Sequence, residues 1–157
     1  MKRILSCLFL LAVSLSIMFP CKSAAVELKI GGTIYVPLYM TFHQSYGSSK
    51  DTYSLTSTAC LHNPDPKHAI TVYDVEHYDS NGNLIKKMLF EPITINPWSS
   101  KEVSILPVPR TEEFGTNLIV RWKSDQPVNP LLVEVLMVGQ VLNRGVSFLT
   151  QGQEIKE

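Results

Sequence analysis

One cysteine and two histidines are the residues whose types and order could support metal binding or covalent catalysis. Cys60 and His62 lie two residues apart, and His68 follows across the turn Asn63-Pro64-Asp65-Pro66. Thiolate and imidazole groups are common ligands of transition metals, so these side chains define a candidate metal site or enzyme centre. Their spacing matches no familiar ligand motif. The simpler interpretation is a packed cysteine and solvated loop histidines.

Motifs for nucleophilic or acid–base catalysis are missing from the sequence. It contains no Gly-x-Ser-x-Gly element and no phosphate-binding glycine loop. The acidic pairs Glu112-Glu113 and Asp74/Glu76 are typical of a solvated surface rather than of a catalytic pair of carboxyl groups. We therefore predict no catalytic residue and no cofactor.

Aromatic and amide side chains form a second candidate site, one for binding. Tyr35 and Tyr39 share a face of a predicted strand, Tyr78 lies beside a turn, and Asn117 belongs to a core strand. Amphipathic rings are suited to recognition surfaces, so we predict a binding patch of these four residues for a protein, a glycan or a component of the cell envelope. Packing within the core is the alternative explanation for the tyrosines.

The N-terminal residues predict export. Met1-Lys2-Arg3 is basic, residues 4–19 carry no charge, and Ser23-Ala24-Ala25 offers small residues for a signal peptidase. We predict a cleaved signal peptide at residues 1–25, a single mature domain at 26–157, and a periplasmic or extracellular location in a bacterium. The apolar run is shorter than the roughly 20 residues of a membrane-spanning helix, and no other segment approaches that length. We therefore expect no membrane-spanning helix in the mature protein.

Cys21 offers a different mode of export, a lipid anchor. Pro20 occupies a position where lipoproteins place a small residue, which disfavours that alternative. Cleavage after Ala25 leaves Cys60 as the one cysteine, so no intramolecular disulfide can form. Cleavage also removes three of 14 basic residues against 14 acidic ones. The mildly acidic product disfavours nucleic acid as a partner, since that would need a clustered basic surface.

The element that best predicts the fold is the segment Gly115-Thr116-Asn117-Leu118-Ile119-Val120-Arg121-Trp122. Successive strand residues point to opposite sides, so Leu118, Val120 and Trp122 share a core face while Asn117, Ile119 and Arg121 share the other. If that second face is solvated, Arg121→Ala should cost no more than about 1 kcal/mol.

Further strands are predicted around this one, at 33–40, 53–61, 69–78, 84–90, 93–95, 103–106, 131–138 and 145–149. Pro37 donates no backbone hydrogen bond, so its strand is an edge strand or contains a bulge. Residues 44–52 are predicted to form a loop, and Asn81-Gly82 a tight hairpin turn. Alternation slips between Val72 and Tyr73, which predicts a β-bulge.

These short strands predict an all-β fold. Residues 131–138 are apolar on both faces except for Glu134, as in a strand covered on two sides. About eight strands separated by proline, glycine and asparagine indicate an immunoglobulin-like antiparallel β-sandwich, with a small β-barrel as the alternative.

The order of the segments resembles that of a known family. The segments are Tyr35-Val36-Pro37-Leu38-Tyr39, Tyr78-Asp79-Ser80-Asn81-Gly82, the 115–122 strand, Val135-Leu136-Met137-Val138-Gly139 and Gly145-Val146-Ser147-Phe148, together with residues 59–63. This order is similar to that of bacterial exported proteins catalogued as domain of unknown function 3124, over about residues 33–151. That family has no assigned activity, so the resemblance carries over no catalytic residue.

Overall fold

The computed structural model describes residues 26–46, 49–106, 115–141 and 144–156, so the predicted signal peptide and Cys21 lie outside the described residues. Within these ranges the chain forms β-strands and no helix, and therefore no helix that could cross a membrane. The strands are β1 Lys29–Tyr39, β2 Thr41–Tyr46, β3 Ser49–His62, β4 Ile70–Tyr78, β5 Leu84–Lys87, β6 Ile93–Ile95, β7 Ser100–Ile105, β8 Gly115–Val128, β9 Leu132–Val141, β10 Arg144–Gln151 and β11 Gln153–Ile155.

The strands form two antiparallel sheets. Sheet 1 has the order β11-β1-β8-β4-β5, with β6 also paired to β4, and sheet 2 has the order β10-β9-β3-β2, with β7 also paired to β3. Neither sheet closes on itself within the described residues. The predicted all-β sandwich is confirmed and the barrel alternative is wrong. The eleven described strands include two that were not predicted from the sequence, β2 and β11.

Two single residues carry the chain from one sheet to the other. Met40 separates β1 in sheet 1 from β2 in sheet 2, and its carbonyl accepts a hydrogen bond from Leu55 N at 2.9 Å. Gly152 separates β10 from β11, and its amide donates to Val133 O at 2.8 Å. Both crossings connect the β11–β1 side of sheet 1 with sheet 2, one at β2 and the other at β10, which are opposite edges of sheet 2.

β8 lies at the centre of sheet 1 between β1 and β4, and its core face is as predicted. Leu118, Val120 and Trp122 are buried, and Trp122 is the largest fully buried side chain. The side chains of Asn117, Ile119 and Arg121 are partly exposed on the opposite face. The inner side chains of sheet 2, such as Leu55, Val135 and Met137, complete the core.

Three local features follow the sequence pattern. The β4–β8 register shifts between Val72 and Asp74, which confirms the bulge at Tyr73. At the β4–β5 hairpin only Gly82 has positive φ (83°), and Asp79 Oδ1 accepts from the amides of Asn81 and Asn83. The predicted hairpin turn is present with one left-handed residue, whereas a two-residue type I′ turn at Asn81-Gly82 would need two.

Pro37 lies on a part of β1 that has a free edge. On this side of β1, β11 pairs only with Thr33–Tyr35, so among the described residues no strand forms a backbone ladder with Pro37 there. Its carbonyl accepts a hydrogen bond from Thr150 Oγ1 at 2.8 Å. A proline is tolerated there because no ladder hydrogen bond is lost.

Two predictions about elements are wrong. Of the residues predicted as a loop at 44–52, residues 44–46 and 49–52 are paired in β2 and β3, and residues 47–48 lie outside the described residues. β9 is covered on one face only, since Leu132, Leu136 and Val138 are 37%, 45% and 42% exposed on the outer face of sheet 2. A run of apolar residues therefore does not distinguish a strand covered twice from one with an apolar exposed face.

Candidate functional site

The outer face of sheet 1 brings together most of the predicted binding patch. Asn117 of β8 pairs with Pro37 of β1 on one side and with Tyr78 of β4 on the other. Tyr35, two residues before Pro37, pairs with Ile119 in the next row. Paired residues point to the same side of a sheet. We call the surface formed by Tyr35, Pro37, Asn117, Ile119 and Tyr78 the tyrosine face.

Tyr35 is the most exposed member of the tyrosine face. Its side chain is 38% exposed, whereas those of Asn117, Ile119 and Tyr78 are half-buried. Tyr39 lies further along β1, where the chain turns toward sheet 2, and it packs against the hydrophobic core. Of the four predicted binding residues, the structure thus gathers Tyr35, Tyr78 and Asn117 on three adjacent strands, while Tyr39 has a packing role.

A network of charged side chains borders the tyrosine face. Arg121 Nη1 donates to Glu76 Oε2 at 2.8 Å and to Asp74 Oδ2 at 3.0 Å. Lys87 Nζ lies 3.1 Å from Glu76 Oε1, and Tyr78 Oη donates to Glu76 Oε2 at 2.7 Å. Two carboxylates and two cations therefore neutralise one another beside the tyrosines.

The network shifts the pKa values of Glu76, Tyr78 and Lys87. The Arg121 guanidinium, followed by Tyr78 and Lys87, lowers the pKa of Glu76 to about 2. The hydrogen bond to Glu76 raises the pKa of Tyr78 and that of Lys87. A general base works best when its pKa lies near the working pH, so Glu76 is suited to positioning Tyr78 and Arg121 and not to proton transfer.

The sequence contained a signal for this network that the interpretation as solvated surface missed. Asp74 and Glu76 are two residues apart on β4 and so share a face, and Arg121 lies on the outer face of β8. Predicting that Arg121 pairs with both carboxylates required only one further fact, the register between β4 and β8. Glu76 is 6% exposed, a burial that a carboxylate tolerates only when it is paired.

Cys60 and His62 share the outer face of sheet 2, as the alternation predicted. Cys60 pairs with Glu102 of β7 and with Glu134 of β9. Burial, and then these two carboxylates, raise the pKa of the Cys60 thiol. A reactive cysteine needs a lowered pKa, so the surroundings of Cys60 favour the inert thiol.

The two histidines of the candidate metal site have different partners. His62 Nδ1 forms a 2.7 Å hydrogen bond with Ser100 Oγ, and its Nε2 lies 4.0 Å from Glu134 Oε2. His68 Nδ1 lies 3.3 Å from Asp65 Oδ1 in the loop after β3. Within the ranges that the structure describes, no three His, Cys, Asp or Glu side chains are grouped to hold a metal ion.

Asp65 organises the loops at this end of the sandwich. Its Oδ1 accepts from the amides of Lys67 and His68, both at 2.9 Å, and its Oδ2 accepts from Asn129 N at 3.1 Å. These hydrogen bonds, that to Lys67 first, lower the pKa of Asp65 to about 2. Asp65 therefore joins the β3–β4 loop to the β8–β9 loop, which is a structural role.

Trp98 is an exposed aromatic residue with an unusual backbone. It is 73% exposed in the turn between β6 and β7 and has φ of 57°, a left-handed conformation uncommon for a bulky side chain. Its amide donates to Asp65 O at 3.3 Å, which helps to hold that conformation. Trp98 lies outside the tyrosine face, so a substitution of Trp98 is a matched control for substitutions of the tyrosines in that face.

Comparison with known proteins identifies a family but no activity. No curated protein matches the chain. Among solved structures, the chain is similar to the crystal structure of Thermotoga maritima 1070, with 10% identity, a TM-score of 0.44, and coverage of 78% of this chain and 92% of that chain. The family model described as "Protein of unknown function (DUF3124)" matches residues 31–155. The resemblance predicted from the order of segments is thus confirmed, and the chain belongs to this family of proteins of unknown function.

Proposed function

We propose that this protein is a non-catalytic, exported binding domain of the bacterial cell envelope that holds an uncharged glycan on the tyrosine face. The observation that carries this proposal is the placement of Tyr35, Asn117 and Tyr78 on adjacent strands of one outer sheet face. An exposed ring offers an apolar surface to a sugar ring, and the amide of Asn117 can both donate to and accept from hydroxyl groups.

The charges beside the face favour a neutral ligand. Asp74 and Glu76 are paired with Arg121 and Lys87, so the network has no net charge to attract an ionic partner. Releasing any of these groups to a charged ligand would break hydrogen bonds of 2.8–3.0 Å made by Arg121. Charge-assisted bonds are among the stronger ones in proteins, so an uncharged, hydroxyl-rich chain is the better match.

Electrophoresis through gels that contain single polysaccharides tests the proposal. We expect at least one uncharged polysaccharide to retard the protein, and Tyr35→Ala to weaken that binding about tenfold, since an aromatic contact residue is a typical binding hot spot. Trp98→Ala is the matched control, because it removes an exposed aromatic ring outside the tyrosine face.

Three results would contradict the proposal. One is retardation by anionic polysaccharides alone, and another is an equal loss of binding in the two variants. The third is the failure of every neutral polysaccharide while Tyr35→Ala abolishes capture of a protein from envelope extracts, which would assign the face to a protein partner.

A further inference from the structure

A small pocket lies between the two sheets near the start of β9. Its volume is about 150 Å³, and its walls include Ile34 from sheet 1 and Leu131 and Val133 from the other side of the sandwich. A cavity of about 150 Å³ with apolar walls accommodates a molecule of the size of benzene. The pocket lies on the inner side of sheet 1 and is separate from the tyrosine face.

The indole of Trp122 lines this pocket and contributes a donor without a partner. Trp122 is 1% exposed, and its Nε1 forms no hydrogen bond with any of the described residues. Buried polar groups in folded proteins are nearly always paired, and a buried tryptophan usually finds an acceptor for its N–H. An unpaired donor beside a pocket therefore indicates a site for an acceptor that the chain itself does not provide.

A second polar group, the Glu154 carboxylate, faces the same space without reaching the indole N–H. A Cβ added to Gly32 would lie 3.4 Å from Trp122 Nε1 and 2.9 Å from Glu154 Oε1, so both polar atoms face the gap that this glycine leaves. Lys29 holds the other carboxylate oxygen of Glu154, Oε2, at 2.6 Å. A hydroxyl group over Gly32 could accept from the indole N–H and donate to Glu154 Oε1.

We propose that this pocket binds a small apolar ring that carries one hydroxyl group, with the ring between the sheets and the hydroxyl between Trp122 and Glu154. The pairing of one donor with one acceptor selects a hydroxyl, because a carbonyl could satisfy only Trp122 and a protonated amine, which has no lone pair, would leave the indole N–H unpaired. Phenol has the required size and group, and toluene replaces that hydroxyl with a methyl group.

Nuclear magnetic resonance of the indole N–H groups tests this site. Trp98→Phe leaves Trp122 as the one tryptophan of the chain, so its indole resonance is assigned directly. In that background we expect phenol to shift the Trp122 indole resonance saturably, with a dissociation constant on the order of 1 mM, and toluene to bind about tenfold more weakly or worse.

Two glycine variants test the gap over Gly32: one fills the gap, and the other is its control. Gly32→Ala fills the gap, and the atom it meets most closely is the flexible end of Glu154, so the fold should tolerate it. Gly145→Ala adds the same methyl group where nothing lies within 4 Å. We expect the first variant to weaken phenol binding about tenfold and the second to leave it unchanged. Glu154→Met, which removes the acceptor, should reduce the preference for phenol over toluene.

The proposal is overturned if neither probe gives a saturable shift, if toluene binds as tightly as phenol, or if both glycine variants bind phenol equally. If Gly32→Ala does not fold, which a thermal melt would show, Glu154→Met decides alone. An unchanged preference for phenol in that variant also overturns the proposal.

Discussion

Arg121 shows at the scale of one residue how pairing changes the consequence of a surface position. The alternation correctly places it on the outer face of β8, and a solvated arginine there should be dispensable. Its guanidinium instead holds Glu76 and Asp74, and the Glu76 side chain is 8% exposed. We expect Arg121→Ala to lower the free energy of unfolding by about 2–3 kcal/mol, because it strands a nearly buried carboxylate.

Urea denaturation of a double-mutant cycle measures this effect. Glu76→Gln in the Arg121→Ala background should recover part of the loss, with a coupling energy of about 1 kcal/mol or more. Lys123→Ala, an exposed position on the same strand, is the control and should change stability by less than about 0.5 kcal/mol. A loss at Arg121 no larger than that at Lys123 would restore the interpretation of a solvated face.

The lowered pKa values of Glu76 and Asp65 predict a loss of stability in acid. Both pKa values are about 2 in the folded protein, against ordinary values of 4.5 for Glu76 and 3.8 for Asp65. Between pH 2 and these ordinary values, the unfolded chain therefore binds more protons than the folded protein. Stability is thus fully present above about pH 4.5 and decreases as the pH falls toward 2. Denaturant melts across this range should show a shallower decline for Glu76→Gln than for Glu91→Gln, which alters an exposed carboxylate.

Gly152 shows at the scale of elements why a strand can change sheets within one residue. A Cβ there would lie 2.5 Å from Ile34 Cγ2, 3.1 Å from Val36 Cγ2 and 3.3 Å from Val133 O. We expect Gly152→Ala to cost about 1–3 kcal/mol from overpacking, measured by thermal or urea unfolding. Gly145→Ala in the adjoining strand β10 should be neutral or slightly stabilising, since it meets open space and stiffens the unfolded chain. Equal effects would mean that the crossing can shift to admit a methyl group.

Local signals in the sequence predict some elements and not others. The bulge at Tyr73 was predictable because an interruption of alternation on a strand with one buried face must be absorbed locally. The outer face of β9 was not, because Leu132, Leu136 and Val138 look the same in sequence whether or not another layer covers them. The crossing at Gly152 was also hidden, since a glycine in a strand indicates close approach without saying to what.

The arrangement of the whole molecule depends on pairings between distant parts of the chain. β1 pairs with β8 and β11, and no local pattern specifies partners that are at least 76 residues apart, the separation of Tyr39 and Gly115 (115 − 39). For that reason the alternation predicted which side of each strand faces the core, while the neighbours of each strand became known only from the structure. The same limit separates Tyr35, Tyr78 and Asn117 of the tyrosine face, which were predicted as binding residues, from the Glu76–Arg121 pairing, which was not predicted.

Trp122 connects these scales, because it fills the core of sheet 1 and lines the pocket between the sheets. Trp122→Ala should lower the free energy of unfolding by about 3–5 kcal/mol, the usual cost of emptying a large buried aromatic site. Trp98→Ala, which removes a ring that is 73% exposed, should cost no more than about 0.5 kcal/mol. Urea melts of the two variants compare the same substitution in two environments. Similar losses would show that the 115–122 strand does not anchor the core, since an exposed ring would then contribute as much as a buried one.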